Sequence, residues 1–344
     1  MKKLRVLVLM HESLVPPASL EGFSDQQINE FKTEYDVMTF LRSAGHEVRA
    51  LGLYDNLADL RAAIADWKPD IAFNLLQEFQ GIVTYDQHIV AYLELMRQPY
   101  TGCNPRGMML SRDKVLSKQI LSYHRIATPQ FLIFRRGHPY RLSRKLKFPL
   151  FVKSATEDAS LGIAQASIVE DRAHLKERID FIHDNTKTDA LVEEYIEGRE
   201  LYVSVCGNNR LTTFPVWEMD FGTLSGVSVG IATRKVKWDL KYQKKHGIKT
   251  GKAPGLTDAD HERLGRLSKR IYHALHMSGY ARMDFRMRPD GSVYVLEANC
   301  NPNLSHGEDF ADSAASDEVT YEGLLHRIIR LGLGYGAEWR LNEA

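Results

Sequence analysis

Apolar and polar positions change period several times along this chain, and each change marks an element. Residues 4–10 form a short unbroken apolar run that reads as a buried strand. Residues 29–43 carry apolar positions at helical spacing and stop at Gly45, which predicts a helix. Residues 47–53 read as a second strand, 57–67 as a helix ending before Pro69, and 70–75 as a third strand. Strands alternating with helices predict a parallel sheet covered on both faces. No Gly-x-Gly-x-x-Gly follows the first strand, which argues against a dinucleotide site there.

A helix over residues 112–123 opens a different texture. Strands over 130–134, 150–154 and 165–169, a helix over 172–183 and a strand over 190–196 form a second unit. Alternating strands over 200–206 and 212–218 begin a third, which ends in a helix, a hairpin and an amphipathic helix near 321–333. The expected fold class is α/β, with α+β character in the later domains. The expected division is an α/β domain over 1–111, a central subdomain over 112–198 and a C-terminal subdomain over 199–344. The polar, turn-rich stretch 238–255 reads as a long mobile loop.

Composition narrows the class. The chain has 344 residues, 44% hydrophobic and 26% charged, with a formal net charge of +1. That balance fits a globular protein and gives no global field for nucleic acid or a membrane surface. No apolar run approaches the roughly 20 residues needed to span a bilayer. The three cysteines, Cys103, Cys206 and Cys300, lack metal-like spacing, and so sparse a count fits a reducing cytoplasm.

Residues 279–303 carry the most chemistry. A strand over 280–287, an Arg288-Pro289-Asp290-Gly291 turn and a strand over 292–299 predict a hairpin. With Arg288 opposite Gly291, Asp284 would face Val295 and Arg282 would face Glu297. Asp284 and Glu297 would then be diagonal neighbours, about 7–8 Å apart at the backbone. Two carboxylates and the Asn299 amide oxygen converging there suit a hard divalent cation. A solvated sheet face with an Arg282–Glu297 pair is the competing reading.

Arg282-Met283-Asp284, followed by Leu296-Glu297-Ala298-Asn299, resembles the metal-binding end of the ATP-grasp ligases, on the D-alanine–D-alanine ligase branch. Asp113-Lys114, the strand ending in Lys153, and Leu191 through Glu200 match the same family in the same order. The resemblance implies an ATP-grasp fold behind a Rossmann-like parallel-sheet domain, and a homodimer. It implies ATP and two magnesium ions, with manganese as a substitute, held by Asp284, Glu297 and Asn299. It implies Lys114, Lys153 and Lys241 on phosphates, Glu193, Glu194 and Ile196 at the adenine, and Glu200 on the ribose. Arg282 would stabilise developing charge, Ser160 would close a lid, and the Asn303 amide would hold an oxyanion.

The implied reaction joins a small carboxylate to an amine through an acyl phosphate. A carboxylate-kinase-like chemistry and a non-catalytic nucleotide-binding regulator are the alternatives. The substrate loops depart from the family. Glu12 is a candidate for an ammonium group, with a plain loop residue as the alternative. Glu308 and Asp309 stand where relatives meet the second D-alanine's carboxylate; acidic side chains suit a cationic amine better. His306 is a candidate base there, or a hydrogen-bonded structural histidine.

Overall fold

The structure is a computed structural model that describes residues 2–139, 146–156, 164–222, 233, 236 and 239–341. Among them, strands β1 (Arg5–His11), β2 (Glu47–Leu53) and β3 (Ile71–Asn74) form a parallel sheet in the order β2-β1-β3. Val6 to Met10 are fully buried, as an unbroken apolar run between two covered faces requires. The helix expected over 29–43 is two helices, α1 (Asp25–Glu30) and α2 (Lys32–Ser43). Ser24 and Gln27 form a capping box on α1, and the chain turns at Phe31 before α2 begins. Helices α3 (Leu57–Trp67), α4 (Asp86–Leu95) and α5 (Pro105–Arg112) follow, and the Asp113 side chain caps α6 (Lys114–Tyr123).

The central residues form an antiparallel sheet in the order β4-β7-β5-β6, from Phe131–Phe134, Leu150–Ser154, Ile168–Val169 and Ala190–Glu194 in chain order. Helix α7 (Arg172–Asn185) packs Leu175, Ile179 and Ile182 on it, closing a separate core. The strand expected over 165–169 is shorter, because Gln165–Ser167 make a 3-10 turn and only the last two residues pair.

The third sheet contains β8 (Arg199–Gly207), β9 (Leu211–Thr213), β10 (Trp217–Asp220), β11 (Lys249–Lys252), β12 (Tyr280–Met287) and β13 (Val293–Cys300). The strand expected over 212–218 is interrupted at Pro215, which cannot donate to a ladder. The loop expected over 238–255 instead carries α8 (Leu240–His246) and β11. Asp239 caps that helix and Gly247, at φ +66°, ends it, so local punctuation outweighed the polar composition. Helix α9 (Asp258–Ala274) covers one face; α10 (Asp309–Ala315) and α11 (Tyr321–Leu333) complete the fold.

One core joins the first and third sheets, packing Leu7 and Leu9 in the same cluster as Met283, Phe285 and Val295. A second packs Val6, Val8 and Met10 with α2 and α11. The junction is tight at Gly279 (φ +72°), where an added Cβ would lie 2.3 Å from the Gly102 carbonyl oxygen. Gly279→Ala is expected to destabilise the protein by about 2–3 kcal/mol, since both the backbone conformation and the contact exclude a side chain. A thermal melt unchanged from wild type would refute this account of the junction.

Candidate functional site

The hairpin places Asp284 directly opposite Glu297 and Arg282 opposite Asn299. The expected register was therefore off by two residues at this end. The turn supplies one residue of the shift, since the Arg288 amide meets Ser292 rather than Gly291, and a bulge between Asp284 and Phe285 supplies the other: Phe285 pairs with Val295, leaving Leu296 extra. Val295 turns into the core and Leu296 lines the cavity, the reverse of simple alternation. Directly opposed residues lie about 4.5–5.5 Å apart at the backbone, closer than the expected diagonal. Asp284 is 2% exposed, and Arg282 grips both of its oxygens at 2.7 and 2.8 Å. Arg282 also lies 3.7 Å from Asp309 and stacks over Tyr202. Burial alone would lower the pKa of this guanidinium, but Asp284 and then Asp309 carry it well above its ordinary value.

A buried ionic cluster stands across the cavity. Glu193 receives Lys153 on one oxygen and Lys118 on the other, each at 2.9 Å. Burial would raise the Glu193 pKa; the two ammonium groups outweigh it and hold the carboxyl below its ordinary range. Burial would lower Lys153, yet Glu193 and then Glu297 raise it. The strand pairing explains the meeting: Lys153 faces Leu191 on neighbouring β7, two residues before Glu193. Lys118 did not emerge from the sequence, although its i+4 spacing from Lys114 on α6 puts both lysines on one helix face.

Lys114 is buried and lines the same cavity, a volume of about 1070 Å³. Glu200 is there too, its carboxylate accepting from Tyr202 and Arg286 at 2.7 Å each. Arg286 was readable as the next same-face position after Asp284. In the hinge, the amides of Glu194 and Tyr195 donate to Gln130 and Pro149, and the Glu194 carboxylate takes Arg288 at 2.9 Å. Ile196 follows, buried and facing the cavity. Lys241 stands exposed on α8 and does not line the cavity; Lys249 on β11 does. Ser160 lies outside the described residues.

The far end of the cavity is built by the docking of α2 on residues 303–309. Thr33 donates to the Asn303 side-chain oxygen at 2.9 Å, and Ser305 donates to the same oxygen through its amide and hydroxyl. Lys32 pairs with Asp36 at 3.1 Å and also donates to the His306 carbonyl. Glu308 lines the cavity and caps nothing with its side chain; burial first, then Asp309, raises its pKa. Two candidates from the sequence lie outside the cavity lining. Glu12 is exposed, its backbone packed against Gly52, and it does not line the cavity. His306 is also exposed and outside the cavity lining, with its ring stacked on Phe40 and against Tyr321.

Glu34 is the residue the sequence did not reveal at this end. It is 5% exposed, lines the cavity, and forms no ion pair among the described residues. Burial pushes its carboxyl up to about 7. A raised acid favours folding at low pH, so this contribution is full below about 4.5 and is lost as pH rises through about 7. The wild-type protein is therefore expected to lose about 3 kcal/mol relative to Glu34→Gln between pH 4 and pH 8. Parallel melts at the two pH values check it; a constant wild-type–variant difference would contradict it.

The described residues include no group of three or more His, Cys, Asp or Glu side chains arranged to hold a metal ion. Asp284, Glu297 and the Asn299 amide oxygen nonetheless form an all-oxygen set on neighbouring strand positions, with the Asn299 amide donating to Glu297 at 3.3 Å. That donor chemistry fits magnesium, which keeps waters and shares ligands with phosphates rather than needing a full protein cage. No helix among the described residues is long and apolar enough to cross a membrane.

Comparison with known proteins gives the family. The family model of the D-Ala–D-Ala ligase C-terminus matches residues 120–330. The D-alanine–D-alanine ligase of Desulfotalea psychrophila is 31% identical over 290 residues, 81% of this chain and 84% of that protein. The uncharacterized protein y4sG of Sinorhizobium fredii is 32% identical over 264 residues, 75% of this chain and 73% of its own length. The fold matches the Bacillus anthracis D-alanine–D-alanine ligase complexed with ATP, at a TM-score of 0.74 and 23% identity, covering 99% of this chain and all of that one. This chain belongs to the D-alanine–D-alanine ligase family and has the ATP-grasp fold.

Proposed function

We propose that this protein is an ATP- and magnesium-dependent ligase that joins a small carboxylate to an amine through an acyl phosphate. One observation carries the reading: Asp284 opposite Glu297, in one cavity with the Glu193–Lys153 pair that Lys118 backs from behind. Phosphoryl transfer needs cations on phosphates and firm positioning more than covalent help. Lys114 and Lys153, which line the cavity, would contact phosphates, and Lys249, which lines it where Lys241 does not, would add a third cation. The Ile196 backbone offers the adenine contact, since the neighbouring amides are already bonded. Glu200 takes the ribose hydroxyls while Arg286 and Tyr202 fix its carboxylate.

Asp284, Glu297 and Asn299 would hold magnesium, which screens the phosphate charges and polarises the transferred group. Arg282 supports charge developing on that group. The terminal phosphoryl leaves ADP for the carboxylate oxygen; the amine nitrogen then attacks the acyl carbon, sheds a proton and expels phosphate. The Asn303 amide would hold the oxyanion of that addition. The division of the chain at 111 and 198 belongs to this reading, supported by the separate core of the central sheet.

An ADP-release screen over paired amino acids and amines, with mass spectrometry of the products, tests the proposal. ADP with an amide product supports it. ADP with an acyl phosphate and no amide would favour a carboxylate kinase. Tight Mg–ATP binding without turnover would favour a nucleotide-binding regulator.

A further inference from the structure

The end of the cavity nearest α2 has an unbalanced charge. Arg282 lines it and is engaged with Asp284 and Asp309, and Lys32, outside the lining, is engaged with Asp36. Glu34 and Glu308 remain on the cavity wall without an ion-pair partner among the described residues. With Glu30, Asp284 and Asp309, five carboxylates line this end with Arg282. Glu34 is the decisive member, because a carboxylate that is 5% exposed and has no ion-pair partner among the described residues loses hydration without gaining a counter-charge. It is also not free to swing away. It follows Thr33, whose hydroxyl is bonded to Asn303 at 2.9 Å and to Ser305 at 2.7 Å, so the first turn of α2 is pinned to the loop beneath it.

A ligand that completes this end must bring positive charge and hydrogen-bond donors. A carboxylate there would add a sixth negative group in a poorly solvated space. The amine that attacks must itself be uncharged when it reacts, so the ammonium at Glu34 is a second one. We propose that the acceptor is a diamine or basic amino acid whose non-reacting ammonium group pairs with Glu34, on the cavity wall that Glu308 also lines. The inference rests on the ligase reading for the role of that amine, but binding alone tests the site.

The test compares 1,4-diaminobutane with 4-aminobutanoate, which has the same length and a carboxylate at one end. Calorimetric titrations would use the intact protein with magnesium and a non-hydrolysable ATP analogue. The diamine is expected to bind at least tenfold more tightly. Glu34→Gln should erase most of that preference, and Glu308→Gln should reduce it, with the affinity for the nucleotide analogue unchanged in both as the check on folding. Equal or tighter binding of 4-aminobutanoate, or an undiminished preference in Glu34→Gln, would overturn the proposal. The ligase reading is separated by ADP release in parallel reactions. A diamine preference without turnover for any carboxylate sinks the ligase reading and leaves this site standing. Turnover with acidic amines but not diamines does the reverse.

Discussion

Glu297→Gln is expected to lower the rate of ADP formation by about a thousandfold or more, with little change in the melting temperature. Removing a preorganised charged group that acts on a developing phosphoryl charge has effects of about this size. The substitution keeps shape and volume, and Glu297 is only partly buried, so the fold should tolerate it. Asp284→Asn should inactivate to a similar degree but carry a stability cost. Both Asp284 oxygens accept from Arg282, and an amide can offer only one acceptor to that fork. The pair of variants thus separates chemistry from folding. Near-wild-type turnover in a folded Glu297→Gln protein would remove this carboxylate from the assigned metal set.

The second large effect concerns folding. Glu193→Ala should destabilise the protein by about 3–5 kcal/mol, because it leaves Lys118 and Lys153 buried at 2% and 7% side-chain exposure with no carboxylate between them. The sign with pH follows from the depressed Glu193 pKa. Its contribution is full above about 4.5, the ordinary value, and is lost as pH falls through the lower folded value. Wild type should therefore lose its advantage over the variant on acidification. Replacing Lys118 by Met is the milder companion, since it keeps the Glu193–Lys153 pair and the packing volume. A melting temperature for Glu193→Ala within a degree or two of wild type would show the cluster to be solvated rather than structural.

Local patterning reached most of the framework. The strands at Glu47–Leu53, Leu150–Ser154 and Tyr280–Met287 and the helices at Leu57–Trp67 and Tyr321–Leu333 follow from periodicity and punctuation alone. The failures have local causes too. Counting back from the Pro-Asp-Gly turn put Arg288 opposite Gly291 where it meets Ser292, and the bulge at Leu296 then breaks the ladder without any glycine to announce it. The lysine-rich segment before Gly247 read as loop because its charge outweighed two available signals, Asp239 and Gly247.

The candidate site was legible where one strand or helix presents its residues together. Arg282, Asp284, Glu297 and Asn299 lie on one hairpin and share one wall. It was illegible where distant segments meet. Glu34 is an ordinary acidic position in an amphipathic helix until Thr33 docks on Asn303, 270 residues away. The same docking turns the His306 ring outward onto Phe40, while Gly52 draws the Glu12 backbone against β2. No spacing rule within the chain carries these contacts.

The central claim is that the carboxylate substrate accepts the phosphoryl group before the amine attacks. It is tested most directly by running the reaction with carboxylate labelled in both oxygens with oxygen-18, then weighing the phosphate released. Transfer through an acyl phosphate predicts one labelled oxygen in each phosphate formed, in step with the amide product. Unlabelled phosphate, released at the rate of amide formation, would contradict it.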